Sequence, residues 1–214
     1  MPGRSLVRSY LHPIFLLSLF LLPFCLQSHA GGTSDWDYQE TRSDSREFAP
    51  GGMLHIRLSV GDLHVRRGDS ARITLRYTVK SHHEKNVKDV HVDFDVRGND
   101  ATLDFHAPSS NTQFDVELDV PQKTNLDVHA KVGDLTIEEV EGDKDLSLGV
   151  GDIHVRKGQS TYSLVRASTG IGDVNSGGYG ETSGWLGKTL KYRGEGKYEL
   201  RARVGVGDIT LEDK

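Results

Sequence analysis

The sequence predicts an all-β domain: a single-stranded β-solenoid, a β-helix-like stack of short strands turned at Gly-Asp corners. An antiparallel β-meander or sandwich is the alternative. Three observations predict this. Apolar and polar residues alternate with the period of a strand, as in Leu54-His-Ile56-Arg-Leu58-Ser-Val60 and Phe114-Asp-Val116-Glu-Leu118-Asp-Val120. A phrase of the form apolar-x-apolar-Gly-Asp-apolar-x-apolar recurs five times. Glycine is abundant, 24 residues against 6 prolines, which suits many short strands joined by tight corners.

In chain order, residues 1–30 read as a cleavable secretory signal. Arg4 and Arg8 give a positive start, Ile14 to Phe24 an apolar run, and Ser28-His29-Ala30 the small residues a signal peptidase reads. The run falls short of the roughly 20 residues a spanning helix needs and contains Pro23. Pro23 and Phe24 precede Cys25, the one cysteine, and argue against lipid attachment there. Cleavage after Ala30 leaves a chain without disulfides, exported to the periplasm, the cell surface or the medium, with no transmembrane segment. Residues 31–46 are polar and read as a flexible leader. Residues 47–214 form the β domain. Its first half, 47–120, is the less regular, and 121–214 carries most of the Gly-Asp repeats.

The corners are Gly61-Asp62, Gly133-Asp134, Gly151-Asp152, Gly172-Asp173 and Gly207-Asp208. Gly61 to Ser70 and Gly151 to Ser160 share seven of ten residues, which marks internal repetition. Across each corner the apolar positions step by three, from Val60 to Leu63 for example. A straight strand would put those two residues on opposite faces. The chain is therefore expected to turn at Gly-Asp and keep both inside, with glycine supplying the backbone angles and aspartate holding the corner. The corners at 133, 151 and 172 lie 18 and 21 residues apart, close to the repeat lengths of solenoids.

These phrases resemble a bacterial family of putative adhesins. The resemblance covers roughly residues 47–214. It rests on Leu58-Ser-Val-Gly-Asp-Leu-His-Val65, on Val116 to Pro121 leading into Leu126 to Ile137, and on Gly205-Val-Gly-Asp-Ile-Thr-Leu211. It implies an exported, strand-only β-solenoid with a surface or adhesive role. It brings no catalytic residues. The span 61–133, which has no Gly-Asp corner, departs from the pattern.

Composition narrows the function classes. Loss of Arg4 and Arg8 with the signal takes the net charge from −5 to −7, so nucleic acid is not an expected partner. If the corners stack, their carboxylates lie about 4.8 Å apart and repel by about 1 kcal/mol per pair in water. A Ca²⁺ site at Asp134, Asp152 and Asp173 is one resolution, and turn residues bonded to local backbone or solvent are the other, favoured one. The eight histidines after the signal sit mostly at outward strand positions or in the loop Ser81 to Asn86, and no zinc set converges. Gly184-Trp-Leu-Gly187-Lys188-Thr189 lacks the leading glycine of a phosphate loop, and no Gly-x-Ser-x-Gly elbow occurs. Arg67-Gly68-Asp69 reads as a turn, and the Gly177 to Lys197 stretch as a cover for the last rung. The expectation is a non-enzymatic envelope module, without a cofactor, that binds a surface macromolecule or glycan. A polysaccharide-acting enzyme using the corner aspartates and an envelope-stress sensor are the alternatives.

Overall fold

Alternating side chains and glycine corners yield an all-β domain in the structure, a computed structural model that describes residues 36–158 and 161–212. The expected signal, and residues 31–35 of the expected leader, lie outside the described residues. The strands begin with β1 (Tyr38–Glu47), β2 (Met53–Gly68) and β3 (Arg72–Ser81). A short helix, α1 (Glu84–Lys88), precedes β4 (His91–Arg97), β5 (Asp100–His106), β6 (Thr112–Pro121) and β7 (Asn125–Val132). Then come β8 (Leu135–Glu138), β9 (Lys144–Val150), β10 (Ile153–Arg156), β11 (Tyr162–Ile171) and β12 (Val174–Asn175). The chain ends in β13 (Thr189–Arg193), β14 (Tyr198–Val206) and β15 (Ile209–Glu212). The helix departs from the strand-only expectation. It fills the polar loop region, where alternation lapses and Val87 supplies the one buried anchor.

Strand β2 is shared by two ladders. Up to Val60 it pairs in parallel with β5 and β7, and from Gly61 with β6 and β8. One parallel ladder therefore runs β5-β2-β7-β9-β14-β11, and the other β6-β2-β8-β10-β15-β12. Every Gly-Asp corner carries the chain from the first ladder to the second. Antiparallel strands flank the ladders: β4 on β5 and β13 on β11, and β3 on β6 with β1 outside it.

Parallel pairing in register stacks like residues into columns. Ile56, Val128, Leu146, Ala202 and Ala167 form one inward column, and Leu63, Leu135, Ile153, Ile209 and Val174 its partner across the core. Both columns belong to a single buried cluster. At roughly 25 cal/mol per Å² of apolar surface removed from water, this cluster is the main source of stability. Phe105, Phe114 and Tyr77 fill the core beside β2, with ring centroids 5.2 to 6.4 Å apart.

Three expectations need correction. Residues 38–46 are strand, not leader. Their side chains are exposed, so alternation could not reveal them, but the backbone of β1 pairs along the whole edge of β3, from Tyr38↔Ser81 to Glu47↔Arg72. Arg42 anchors the strand by donating to the carbonyls of Val87 (3.0 Å) and Val90 (3.2 Å). The rungs also do not stack in chain order. Strand β14 lies between β9 and β11, and β15 between β10 and β12, so the last rung in sequence sits inside the stack.

The third correction concerns the residue before each corner glycine, which was expected inside. Val132, Val150, Val206 and Ile171 are 45–55% exposed. The cause is the residue preceding each: the ladder pairing skips Ser59, Lys131, Gly149, Gly205 and Gly170. Such a break in the ladder bends the strand and changes which way the next side chain points. Only the residue after the Gly-Asp pair returns to the core.

The corner glycines have no room for a side chain. Gly151 sits at φ +128°, and a Cβ there would overlap the carbonyl oxygen of Gly133. Gly98 also has positive φ, at +64°, but faces open space. Gly151→Ala should destabilise the domain by about 4 kcal/mol or more, and Gly98→Ala by about 1–2 kcal/mol, in denaturant unfolding. Equal losses would show that the corner is not close-packed.

Candidate functional site

The corners stack in the spatial order 61, 133, 151, 207, 172, and two sets of hydrogen bonds lock them. Each corner glycine from 133 on donates its N–H to the apolar residue of the next rung: Gly133 to Val150 O (3.0 Å), Gly151 to Val206 O (3.0 Å), and Gly207 to Ile171 O (2.9 Å). Each corner aspartate then bonds to the one before it. The N–H of Asp134 donates to Asp62 Oδ1 (3.0 Å), and that of Asp152 to Asp134 Oδ1 (2.9 Å). Asp208 donates to Asp152 Oδ1 (2.8 Å), and Asp173 to Asp208 Oδ1 (2.7 Å). The N–H groups released by the turn thus find charged acceptors, which make the stronger class of hydrogen bond.

The same device recurs at the other end of the first ladder. Asp143 N–H donates to Asn125 Oδ1 (2.9 Å), and Glu199 N–H to Asp143 Oδ1 (2.8 Å). The structure therefore brings Asp62, Asp134, Asp152, Asp173 and Asp208 into one column. Asp134 and Asp152, two of the Ca²⁺ candidates, each commit one carboxylate oxygen to backbone. Among the described residues, no group of three or more His, Cys, Asp or Glu is placed to hold a metal ion.

Beside this acidic column runs the aliphatic one: Val60, Val132, Val150, Val206 and Ile171, in register. The loop after β12 extends it. Leu186-Gly187 imitates a corner: Gly187 bridges to Gly172, and Leu186 O accepts the N–H of Gly172 (3.3 Å). Leu186 is 64% exposed and Trp185 92%. The stretch expected as a cover does cover an end rung, but the rung it covers is that of β11 and β12. Sequence reading missed this stripe because it assigned the valines to the core.

The outward faces differ from the corner edge. On the second ladder, charges alternate down the column Asp119, Arg66, Glu138, Arg156, Glu212, with Arg66 Nε 3.1 Å from Asp119 and Arg156 Nη1 2.9 Å from Glu138. On the first, Asp127 lies between His55 (2.8 Å) and His129 (3.1 Å). A cleft of about 420 Å³ opens where β5 parts from β2, lined in part by Arg57, His106, His129 and Lys131.

Among the described residues, one inward position carries a charge. Lys144 opens β9 in register with Leu126 and Leu200 and is 2% exposed. Its Nζ donates to the carbonyls of Val140 (2.7 Å) and Gly142 (3.0 Å) and lies 5.4 Å from the Tyr162 ring centre. Burial pushes its pKa down to about 7, against the opposing pull of Asp143 and Glu141. A neutral amine still has two N–H donors for those carbonyls, so Lys144 ties the turn before β9.

No protein-family model matches the chain, and no curated protein matches it. Solved structures do resemble it. A putative cell adhesion protein from Clostridium sporogenes is 16% identical, with 82% of this chain and 100% of that one covered at a TM-score of 0.49. A putative adhesin from Parabacteroides merdae is 12% identical, covering 82% and 81% at 0.35. A putative lipid binding protein from Parabacteroides distasonis is 12% identical, covering 80% and 96% at 0.26. The first two carry the kind of name that the corner phrases pointed to. Such distant likeness assigns no ligand.

Asp152→Ala removes the acceptor of Asp208 N–H and should lower stability by about 1–2 kcal/mol. Asp152→Asn keeps an oxygen acceptor and removes a repulsive charge, so it should melt at or above wild type in low salt. For Lys144, the unfolded chain binds the extra proton between about pH 7 and 10.5, so wild-type stability should rise with pH across that window. Lys144→Met should lack this rise, and parallel stability curves for the two proteins would contradict the assignment.

Proposed function

We propose that the chain is an exported, non-enzymatic envelope or surface module, built on a short β-solenoid, that binds a macromolecule through a repetitive β surface. The observation that carries this is the register of the ladders. Side-chain positions at the corner edge and on both faces recur at every rung, about 4.8 Å apart, with the same residue types only at the corner edge, so the surface offers a periodic array rather than a closed pocket. A polymer or an extended partner matches such an array better than a small substrate does. The tripartite N-terminal pattern supports export, and no helix among the described residues is long and apolar enough to cross a membrane.

The enzyme alternative draws its acids from the corner column. There the aspartates act as backbone acceptors at fixed spacing, with no proton donor set against them by the hydrogen bonds described.

The test begins with the full chain expressed in a bacterial host. N-terminal sequencing of the exported product should begin at Gly31. That product, labelled, should bind isolated bacterial envelopes saturably and be displaced by unlabelled protein. Failure to saturate would sink the binding reading. Cleavage of any polysaccharide in a substrate panel, abolished by Asp152→Ala, would establish the enzyme in its place.

A further inference from the structure

At the corner edge two columns stand side by side, and among the described residues no strand packs across them. The aliphatic column from Val60, which is half-buried, to Leu186 spans five steps, about 24 Å, of which the four from Val132 onward, about 19 Å, are exposed, and Trp185 extends it. An exposed apolar run of that length is unusual for a surface that meets only water. The acidic column beside it repeats one charge over five corners without a counter-charge. On the second ladder's face charges of opposite sign alternate from Asp119 to Glu212, but none of the five corner aspartates forms an ion pair among the described residues.

We infer that this edge docks a basic, amphipathic helical segment of a partner protein, its apolar side on the valine column and its Lys or Arg residues on the aspartates. The inference rests on the binding reading above and names its surface and partner. Charge complementarity selects the sign. Five like charges at this spacing repel one another, and a cationic partner reverses that term into attraction. The same row of carboxylates opposes docking on an anionic lipid surface, and opposes a second copy of this chain placed edge to edge. Periodicity selects the helix. One turn rises 5.4 Å, near the rung spacing of about 4.8 Å, so apolar residues at i, i+3/i+4 and i+7 meet successive rungs. Alternate residues of an extended strand, about 6.7 Å apart, fall out of step within two rungs. A helix of about 16 residues covers the 24 Å edge. The exposed glycines Gly149, Gly205 and Gly170, one residue before the valine column, leave that part of its flank free of side chains, whereas Ser59 and Lys131 hold the same position at the first two corners.

The probe is a 16-residue helical peptide with Leu on one face and Lys flanking it, titrated against the full chain by calorimetry and by tryptophan emission, whose response Trp185→Phe should abolish. Two controls accompany it: the peptide with Glu for Lys, and the peptide with Ser for Leu. The Lys/Leu peptide should bind at least tenfold more tightly than either control, and weaken as salt rises. Val150→Ser with Val206→Ser should lower its affinity at least tenfold. Asp134→Asn, Asp152→Asn and Asp208→Asn together should do the same and reduce the salt dependence, since three of the five carboxylates are gone. The asparagines keep an oxygen acceptor for the ladder, and melting curves check that both variants fold. Equal binding of the Glu peptide, preferential binding to vesicles of anionic phospholipid, or edge variants that bind like wild type would overturn the proposal. Saturable envelope binding unchanged by the edge variants would leave the binding reading intact and remove this edge from it. Loss of saturable envelope binding altogether would remove both.

Discussion

Where a strand turns a corner, backbone N–H groups leave the regular ladder and need new acceptors, and this requirement organises the whole repeat. In this chain the acceptor is the aspartate carboxylate of the neighbouring rung, at 2.7 to 3.0 Å in all four contacts. The geometry works only if the neighbouring corner lies directly above or below. That in turn requires glycine, because a Cβ would strike the carbonyl oxygen of the adjacent corner glycine. Glycine and aspartate are thus a coupled pair: one lets the corners approach, and the other uses the approach to satisfy the backbone. Buried columns of Leu, Ile and Val supply the stability, but the corners set the register in which those columns form.

The same stacking explains why the edge is chemically unlike the faces. On a face, different residues can occupy the same column in successive rungs, and opposite charges come to alternate, as Asp119, Arg66, Glu138, Arg156 and Glu212 do. At the corner the ladder demands the same residue every time. Repetition imposed by the backbone therefore concentrates like charge, and the valine that the ladder break turns outward concentrates apolar surface next to it. The binding edge is a by-product of the constraint that aligns the rungs.

How much of this was legible in the sequence depends on which physical signal each element leaves. The corners were legible because Gly-Asp with a three-residue apolar step has no straight-strand solution. The outward valines were not, because parity was counted through the position that the ladder skips. Gly149, Gly170 and Gly205 at that position in three of five copies were the available clue. Strand β1 left no side-chain signal, since it is held by backbone pairing on an edge. The exchange of the last two rungs was illegible for a different reason: rungs with the same pattern are interchangeable partners. Leu186-Gly187 repeats the Val-Gly pair and could have marked the false corner that ends the stack. Lys144 was readable as a lysine at an inward position, ahead of Leu146 and Leu148.

The central claim is that corner carboxylates hold the backbone of the next rung. Native-state hydrogen exchange at the amides of Asp134, Asp152, Asp208 and Asp173 tests it most directly. These amides lie at the exposed edge, where an unbonded N–H would exchange at the rate of a surface loop. If the ladder exists, all four exchange as slowly as core amides such as those of Leu146 and Ala202, because they open only when the stack opens. Fast exchange at these four amides, with the core still protected, would contradict it.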